Sequence, residues 1–549
     1  MANISFYGSH NGAYVVEDNG KIVLVLEIER YLRYKNLGLA QYKTPHPNHI
    51  LYFAEEIPKF IMKHLGIDEF ENCYYQNDEL TMDGEIHKLH KYIPAKNYIP
   101  KLHHRSHAAG CFYQSNFQEA LIFSFDGGGN DGMFNIYTAD RSEGVKEVHK
   151  MINPLFNNPH LHYNLGFPYM VFAHYMEDIR LENLGDGNLT YPGKLMGLSS
   201  YGNVRHDLVP FFKQFYKNNT EGPNHHLFLA ALQYHINLQN SRLGYPEMEF
   251  NLSNRLKGQV AYDIAATSQQ AFEECFFEVA DEFVAKYPNL PICLTGGCGL
   301  NIILNTKIVE RYGREVFVGP NPSDCGIAAG MILDELKPQE PVDLTYSGLP
   351  LLDLDMLHSY IQSIDFPSHV YKVNHAQLAQ HLMEGSIVGV ARGRAEHGPR
   401  ALGNRSILCN PSIADMKDVL NAKVKNREWY RPFAPVVRLE DVNKYFEWNG
   451  ESRWMSFCPR VREEWKETLA AITHIDGTAR VQTVTREQNE WLYDLLTEFE
   501  SLTGIGVLLN TSFNVNGKPI LSSVREAFDV FNNTRLDALV IEDTYITKG

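Results

Sequence analysis

Three stretches of the chain share one pattern: an apolar run rich in β-forming residues passes directly into a glycine-rich turn. They cover residues 4–12, 120–129 and 292–301. Each run has the composition of a buried strand, and the glycines mark its end. The apolar residues 13–16 predict a further strand after the first turn, and the third turn leads into an apolar helical stretch.

Glycine-rich turns after strands are typical of nucleotide sites. Glycine lets backbone N–H groups approach phosphate oxygens, and a following helix adds a favourable dipole. A single turn of this kind is an ordinary tight turn. Three of them at wide spacing indicate a two-lobed nucleotide cleft, the architecture of actin, the sugar kinases and the heat-shock ATPases.

A break in the pattern divides the chain. Residues 337–341 contain two prolines and stop helix formation, and residues 387–390 restart as a buried strand. We therefore expect an N-terminal domain over residues 1–345, a linker over residues 346–372 and a C-terminal domain over residues 373–549.

Length and composition indicate a multidomain globular protein. The 549 residues suffice for two to four domains at roughly 100–200 residues each. Hydrophobic residues make up 44% and charged residues 21%, as in soluble proteins. No apolar run reaches the roughly 18 residues of a membrane span, and residues 1–5 do not resemble the start of a signal peptide. The eight cysteines form no CxxC pair, which predicts a reducing, cytoplasmic location.

The charge is uneven along the chain. The formal net charge of −16 disfavours non-specific binding to membranes, and we expect no stable complex with nucleic acid. Residues 392–431 nevertheless hold nine basic residues against four acidic ones. Such an island indicates either a pocket for a small anion or a solvated basic surface.

Two histidines and two aspartates form a candidate metal set. His103 and His107 lie one turn apart if their segment is helical, and Asp126 and Asp324 each follow or begin a turn. Two imidazoles and two carboxylates suit iron(II), manganese or zinc. The alternative is an incidental histidine pair with turn-capping carboxylates.

Further cationic residues lie on glycine- and proline-rich segments. Lys194 stands between glycines and predicts either a phosphate contact or a solvated lysine. Arginines recur in residues 393–406 and 421–435 and at Arg480, and the polar run 510–514 follows a strand-like segment. Guanidinium groups match phosphate and carboxylate oxygens bidentately, so the set indicates a phosphate or acid-anhydride site. Taken singly, most of these residues would form surface ion pairs.

Five motifs resemble the O-carbamoyltransferase family, which includes nodulation and antibiotic-tailoring enzymes such as the tobramycin carbamoyltransferase. The resemblance runs nearly end to end. The motifs are PGKLMGL at residues 192–198, GGCGLN at 296–301, GPRALGNRS at 398–406, NREWYRPFAP at 426–435 and LNTSFN at 509–514.

The resemblance implies an α/β fold in two parts. The N-terminal domain would be of the actin-like (ASKHA) ATPase type, similar to the universal tRNA threonylcarbamoyladenosine transferase. The C-terminal domain would be a YrdC-like α/β domain.

The resemblance also implies a mechanism that uses carbamoyl phosphate, ATP, Mg(II) and iron, Fe(II). Carbamoyl phosphate is cleaved to carbamate and phosphate, and carbamate attacks the α-phosphate of ATP. The products are pyrophosphate and carbamoyl adenylate, which passes internally to the N-terminal domain. There a hydroxyl of a small-molecule acceptor takes the carbamoyl group and AMP leaves. An enclosed route protects carbamate, which is short-lived in water.

The family motifs assign roles to residues of this chain. His10 matches the histidine that deprotonates the acceptor hydroxyl. The matching metal ligands are His103, His107, Asp126 and Asp324. The matching nucleotide residues are Gly127, Gly128, Lys194, Gly296, Gly297 and Asn301. The residues in the carbamoyl phosphate motifs are Arg400, Lys425, Arg431, Arg480, Asn510 and Ser512, with Arg427 as a weaker addition.

Two departures from the family pattern bear on these roles. Asn11 stands where the family commonly has an aspartate, which puts the basicity of His10 in question. Arg105 and Ser106 replace small or apolar residues and change the charge beside the metal set.

Two alternatives stay open: a fused threonylcarbamoyl-adenylate enzyme that acts on tRNA, and a non-catalytic actin-like ATP-binding scaffold. The acceptor is also open among sugars, other natural products and modified nucleotides, with its contacts expected in residues 183–190 and 212–245. The sequence leaves the oligomeric state undetermined, a homo-oligomer included.

Overall fold

A computed structural model describes residues 2–38, 47–76, 90–151, 164–179, 187–218, 225–250 and 254–549. The strands are β1 (Asn3–Tyr7), β2 (Ala13–Asp18), β3 (Lys21–Glu27), β4 (Phe70–Gln76), β5 (Ala95–Lys101), β6 (Glu119–Gly129), β7 (Gly132–Asp140), β8 (Gly144–Met151), β9 (Ile292–Thr295), β10 (Val316–Phe317), β11 (Ser368–Lys372), β12 (Val388–Ala391), β13 (Arg405–Cys409), β14 (Ala434–Arg438), β15 (Gln482–Val484), β16 (Val507–Ser512), β17 (Ala538–Ile541) and β18 (Thr544–Lys548).

The helices alternate with these strands. They are α1 (Ile28–Leu32), α2 (Pro47–Leu65), α3 (His103–Gln114), α4 (Gly166–Ala173), α5 (Tyr191–Ser199), α6 (Val209–Asn218), α7 (His225–Leu243), α8 (Gly258–Lys286), α9 (Ile302–Tyr312), α10 (Ile327–Leu336), α11 (Leu357–Gln362), α12 (His375–Met383), α13 (Met416–Val419), α14 (Val442–Tyr445), α15 (Glu490–Thr503) and α16 (Val524–Asn533). The α/β class is therefore confirmed. Within the described ranges, no helix is both long and apolar enough to cross a membrane.

Two compact units divide the chain. Unit 1 joins Met1–Lys101 to Val318–Gly549, and unit 2 is Leu102–Phe317. This division describes how the chain packs. It does not test the predicted limits of the functional domains, which stay a prediction. Of the predicted acceptor segments, residues 183–186 and 219–224 lie outside the described residues.

Unit 1 contains two mixed sheets. The first has the order β3-β2-β1-β4-β5, in which β1, β2 and β3 form an antiparallel meander and β1, β4 and β5 are parallel. The second has eight strands in the order β11-β18-β17-β12-β13-β16-β14-β15. Both faces of the second sheet are covered: Leu508 of β16 enters one apolar cluster, and its neighbours Val507 and Leu509 enter another. Successive side chains of a strand point to opposite faces, so a continuous apolar run fits such a sheet.

Unit 2 contains one sheet of order β10-β9-β6-β7-β8. Helix α8 packs on it through Phe276, whose ring stacks on Phe134 at 5.8 Å between centroids. Strands β6 and β9 are parallel neighbours, with Ser124 opposite Thr295. Glycines 127–129, predicted as a turn, form the irregular end of β6, and the turn itself follows at residues 130–131. This glycine run and the one after β9 meet at one edge of the sheet, although they are far apart in the sequence.

The predicted local elements are confirmed. The apolar runs form β1, β2, β6, β9 and β12, and the helical stretch after the third turn is α9. Helix α10 ends at Leu336, and Lys337 takes a left-handed conformation with a φ of 44°, directly before the prolines.

Candidate functional site

Unit 2 holds a compact group of two imidazoles and one carboxylate. His103 and His107 lie one turn apart in α3, with ring centroids 4.7 Å apart. The Nε2 atom of His107 is 3.5 Å from Oδ2 of Asp126 in β6. One ligand atom from each of the three residues lies within 4.8 Å of the others, and both histidines are buried. The predicted helical spacing of the histidines is confirmed.

The turn between β6 and β7 holds the start of α3. Asn130 Oδ1 accepts a hydrogen bond from the His103 backbone N–H at 3.0 Å, and the Asp131 carboxylate accepts from the N–H groups of His104 and Arg105. These acceptors satisfy N–H groups that a helix start leaves without partners. The helix, and with it the imidazole pair, is thus fixed by a distant segment rather than by its own N-cap.

His104 supports this arrangement, and the sequence analysis did not single it out. Its Nε2–H donates to the Gly132 carbonyl at 3.0 Å, so its Nδ1 accepts from the Ser124 hydroxyl at 2.8 Å. Burial, with the nearby His103, lowers the pKa of His104 to about 4. The side chain is therefore neutral at pH 7 and ties α3 to β6 and β7.

Asp126 connects the two glycine-rich segments at the sheet edge, residues 127–129 and 296–297. Its Oδ1 accepts from the Gly127 N–H at 2.6 Å and its Oδ2 from the Gly297 N–H at 2.5 Å. At Gly296 φ is +86°, and a Cβ there would lie 2.2 Å from the Phe125 carbonyl oxygen, so this close approach requires glycine. By contrast, no heavy atom of the described chain lies within 4 Å of a Cβ placed at Gly128.

The remaining predicted nucleotide residues, Lys194 and Asn301, also belong to unit 2. Lys194 is buried in α5, and its Nζ lies 3.3 Å from the Ile179 carbonyl. Asn301 caps α9 by accepting from the Leu304 N–H, and its amide also pairs with that of Gln269. Both have internal partners, and their role toward a nucleotide stays a prediction.

Unit 1 places the predicted base beside the fourth predicted ligand. His10 Nδ1 is 3.3 Å from Oδ2 of Asp324, and the Tyr7 hydroxyl donates to the same oxygen at 2.6 Å. Asp324 is buried, whereas 37% of the His10 side chain is exposed. Asn11 has a φ of 55°, a conformation that asparagine tolerates better than most residues. A carboxylate thus faces His10 without an aspartate at position 11, and Tyr7 is a neighbour that the sequence analysis missed.

The five predicted cations come together in unit 1. Two of them are anchored by the protein. Lys425 Nζ is surrounded by Ser512 O, Asn514 O and Asn514 Oδ1 at 2.5–2.7 Å. Arg427 donates to Asn421 and lies 4.2 Å from the centre of the Phe433 ring.

The other three cations have little compensation. Arg431 NH1 is 3.4 Å from Glu428, a contact that places one carboxylate at the cluster. Within the described ranges, Arg400 and Arg480 make no hydrogen bond or ion pair.

Mutual repulsion in this cluster shows in the pKa values. Burial, with the charge of Arg431, lowers the pKa of Arg400 to about 10. Burial and the charges of Arg400 and Arg431 hold the pKa of Arg480 well below its usual range. Burial also lowers the pKa of Lys425, with contributions from Arg427 and Arg431. A cluster in which neighbouring cations disfavour the charged forms of Arg400, Lys425 and Arg480 is suited to an anion.

Asn510 is tied to the two segments that carry Arg400 and Arg480. Its Nδ2 donates to the Ala401 carbonyl, next to Arg400, at 3.1 Å, and to Gln482, two residues after Arg480, at 2.7 Å. Its Oδ1 is buried and makes no hydrogen bond with the described residues. Since both partners of Nδ2 accept, the orientation of the amide is determined, and Oδ1 is left to accept from a ligand.

Comparisons with known proteins identify the family. The model of the carbamoyltransferase N-terminus matches residues 40–333, more than half of the chain, and that of the carbamoyltransferase C-terminus matches residues 379–548. The chain belongs to the carbamoyltransferase family. It is therefore a transferase, as the five motifs predicted.

Relatives of this carbamoyltransferase are similar over most of their length. The 3'-hydroxymethylcephem-O-carbamoyltransferase of Streptomyces clavuligerus is 37% identical, over 100% of this chain and 99% of the relative. Nodulation protein NolO of Bradyrhizobium diazoefficiens is 35% identical, over 81% of this chain and 78% of the relative. A solved structure of full-length HypF is 13% identical over 61% of this chain and 46% of that one, with a TM-score of 0.38. That TM-score is too low to indicate a shared fold.

Proposed function

We propose that this carbamoyltransferase moves the carbamoyl group of carbamoyl phosphate to a hydroxyl of a small-molecule acceptor, through carbamoyl adenylate made from ATP. The acceptor class includes sugars, other natural products and modified nucleotides. The observation that carries the proposal is the half-buried cation cluster of unit 1. Arg400 and Arg480 lack protein partners in the described ranges and suit the oxygens of an anion.

Carbamoyl phosphate fits this cluster chemically. Its phosphate is an anion for the guanidinium groups, and its carbamoyl end carries an NH₂ group that donates hydrogen bonds. Asn510 Oδ1 is a buried acceptor on a side chain that is tied to the segments of Arg400 and Arg480. We infer that the cations hold the phosphate while Asn510 binds the carbamoyl end.

His10 is the proposed base for the acceptor hydroxyl. Its Nδ1 faces Asp324 at 3.3 Å, which orients the ring so that Nε2 receives the proton from the hydroxyl. Asp324 would then stabilise the imidazolium. The exposure of the His10 side chain is consistent with access for an acceptor.

The donor set of His103, His107 and Asp126 fits a divalent transition metal such as Fe(II). The family resemblance adds Asp324 of unit 1 as the fourth ligand. A metal bound there would supply a positive charge for phosphate oxygens of a nucleotide. In unit 2, Gly127, Gly128, Gly296 and Gly297 would line the nucleotide site beside it, with the N–H groups of Gly127 and Gly297 donating to Asp126, and Mg(II) would accompany ATP. The same resemblance supports an actin-like N-terminal and a YrdC-like C-terminal domain.

The donor half-reaction tests the proposal without an acceptor. The purified protein is incubated with Fe(II), Mg(II), ATP and carbamoyl phosphate, and release of phosphate and pyrophosphate is followed. We expect carbamoyl adenylate by mass spectrometry, and its loss on Arg480→Ala. Arg486→Ala is the matched control, because Arg486 of the same unit pairs with Glu490 and Asp494 outside the cluster. Intact carbamoyl phosphate, with adenylate formed instead from threonine and bicarbonate, would overturn the proposal.

A further inference from the structure

The segment that leads to Arg400 is held by two residues from the start of the chain. Arg30, in α1, donates from NH1 to the Glu396 carbonyl at 2.6 Å and from NH2 to the Gly398 carbonyl at 2.5 Å. Glu27, the last residue of β3, accepts through Oε1 from the Gly398 N–H at 3.0 Å. All these groups belong to unit 1, and both side chains are at least nine-tenths buried.

The two side chains also fix each other. Arg30 Nε forms an ion pair with Glu27 Oε2 at 2.5 Å, and its two terminal nitrogens donate to the two carbonyls. The Ser522 hydroxyl donates to the Arg30 carbonyl at 2.9 Å and anchors its backbone. A planar fork of donors is required for this contact, and a lysine cannot reproduce it. We call Glu27 and Arg30 the clamp.

The opposite side of the same segment is closely packed. Gly398 has a φ of +109°, and a Cβ there would lie 2.2 Å from the Pro320 carbonyl oxygen. The neighbouring His397 donates from Nε2 to the Cys325 carbonyl at 3.1 Å and accepts at Nδ1 from Asn321 at 3.0 Å. The backbone between Glu396 and Gly398 is thus gripped between the clamp and residues 320–325.

The placement of Arg400 depends on these contacts to residues 396–398. Within the described part of the chain its guanidinium makes no hydrogen bond or ion pair, so its side chain is not held by a protein partner. Neighbouring cations repel it. What the described chain fixes for Arg400 is the start of its side chain, through the backbone two residues beyond the clamped Gly398.

We propose that Glu27 and Arg30 are positioning residues that hold Arg400 at the anion site through the backbone of residues 396–398. This proposal rests on the proposed function in one respect: it takes Arg400 to bind the phosphate of carbamoyl phosphate. The clamp residues themselves do not touch the substrate. They determine where the Arg400 guanidinium lies.

The test compares Arg30→Lys and Glu27→Gln with the wild-type protein. We measure the Kd of inorganic phosphate by calorimetry, and KM for carbamoyl phosphate and for ATP in the donor half-reaction. Loss of the charge-assisted contacts should raise the phosphate Kd and the carbamoyl phosphate KM about tenfold, with KM for ATP unchanged. Glu27→Gln keeps an acceptor for the Gly398 N–H and should raise Kd and KM less than Arg30→Lys does. It is the variant to measure if Arg30→Lys fails to fold.

The matched control is Arg141→Lys in unit 2. Arg141 is equally buried and donates from Nε and NH2 to the carbonyls of Phe117 and Ser115. Its replacement by lysine should therefore destabilise the protein in the same way as the clamp variants. We expect it to lower Tm while it leaves both KM values unchanged. If the clamp variants lower Tm as this control does but keep the wild-type phosphate Kd and KM, the clamp is only structural and our inference is wrong. A wild-type protein that neither binds phosphate nor cleaves carbamoyl phosphate overturns the proposed function, and the clamp with it.

Discussion

Removing the charge of Arg400 should stabilise the ligand-free protein while it abolishes anion binding. Arg400 carries an uncompensated charge among other cations, and burial with the charge of Arg431 lowers its pKa to about 10. At pH 7 the group is charged in both the folded and the unfolded chain. The lowered pKa therefore measures a penalty that folding imposes on the charged form, and that Arg400→Met removes.

The size of the effect follows from the pKa. The decrease of the pKa from the usual arginine value to about 10 corresponds to about 3 kcal/mol at 25 °C. Water reaches part of the side chain, which reduces this value. We expect Arg400→Met to raise the free energy of unfolding at pH 7 by about 1–3 kcal/mol, an unusual sign for a substitution inside a protein.

Urea unfolding at pH 7, with and without phosphate, measures both consequences. Phosphate at about 100 times its Kd should stabilise the wild-type protein by about 2.7 kcal/mol and Arg400→Met by much less. Arg438→Met is the control of opposite sign. Arg438 pairs with Asp441 and Glu500, and its loss should destabilise by about 1–3 kcal/mol because those carboxylates lose a partner.

Two results would refute the reasoning. If Arg400→Met is less stable than the wild-type protein, the charge at Arg400 is compensated by the protein itself. The cluster then has no excess positive charge for an anion to offset. If phosphate stabilises the variant as much as the wild type, Arg400 lies outside the anion site.

Three further predictions concern other parts of the molecule. Burial lowers the pKa of His397 to about 4, so as the pH falls this histidine is protonated in the unfolded chain before it is protonated in the folded protein. The free energy of unfolding should therefore drop by about 2 kcal/mol between pH 7 and pH 5. His397→Gln should remove that part of the pH dependence in urea unfolding, and identical slopes would contradict it. Asp126→Asn should lower the bound Fe(II) measured after reconstitution, and reduce stability by about 1–3 kcal/mol, because one amide cannot accept from both Gly127 and Gly297; full metal content would refute this. Asn510→Leu should abolish a preference for carbamoyl phosphate over acetyl phosphate in competition binding, and a retained preference would exclude Asn510 as the acceptor for the NH₂ group.

Much of the local structure was predictable. The strands before the glycine turns, the helical spacing of His103 and His107, and the end of α10 before the prolines depend on residues only a few positions apart. The cation set was also predictable, because arginines on glycine- and proline-rich segments indicate an anion site whatever the fold around them.

The contacts that hold these residues were not predictable. Nothing in the sequence near His104 distinguishes it from its neighbours, and its role follows from Ser124 and Gly132 in the adjoining strands. Tyr7 likewise stands in an ordinary strand, and its contact with Asp324 spans 317 residues.

The sequence by itself determined the apolar strands before the glycines and the residue types that carry the chemistry, since each depends on composition and short-range spacing, while the α/β class followed from the family resemblance. Only the tertiary structure decided which of these residues meet. Asp126 accepts from Gly297 across 171 residues because β6 and β9 are parallel neighbours, and Arg30 reaches Gly398 across 368 because both belong to one unit. Such pairings are determined by strand order and packing, which the pattern of hydrophobic and polar residues along a single chain does not specify.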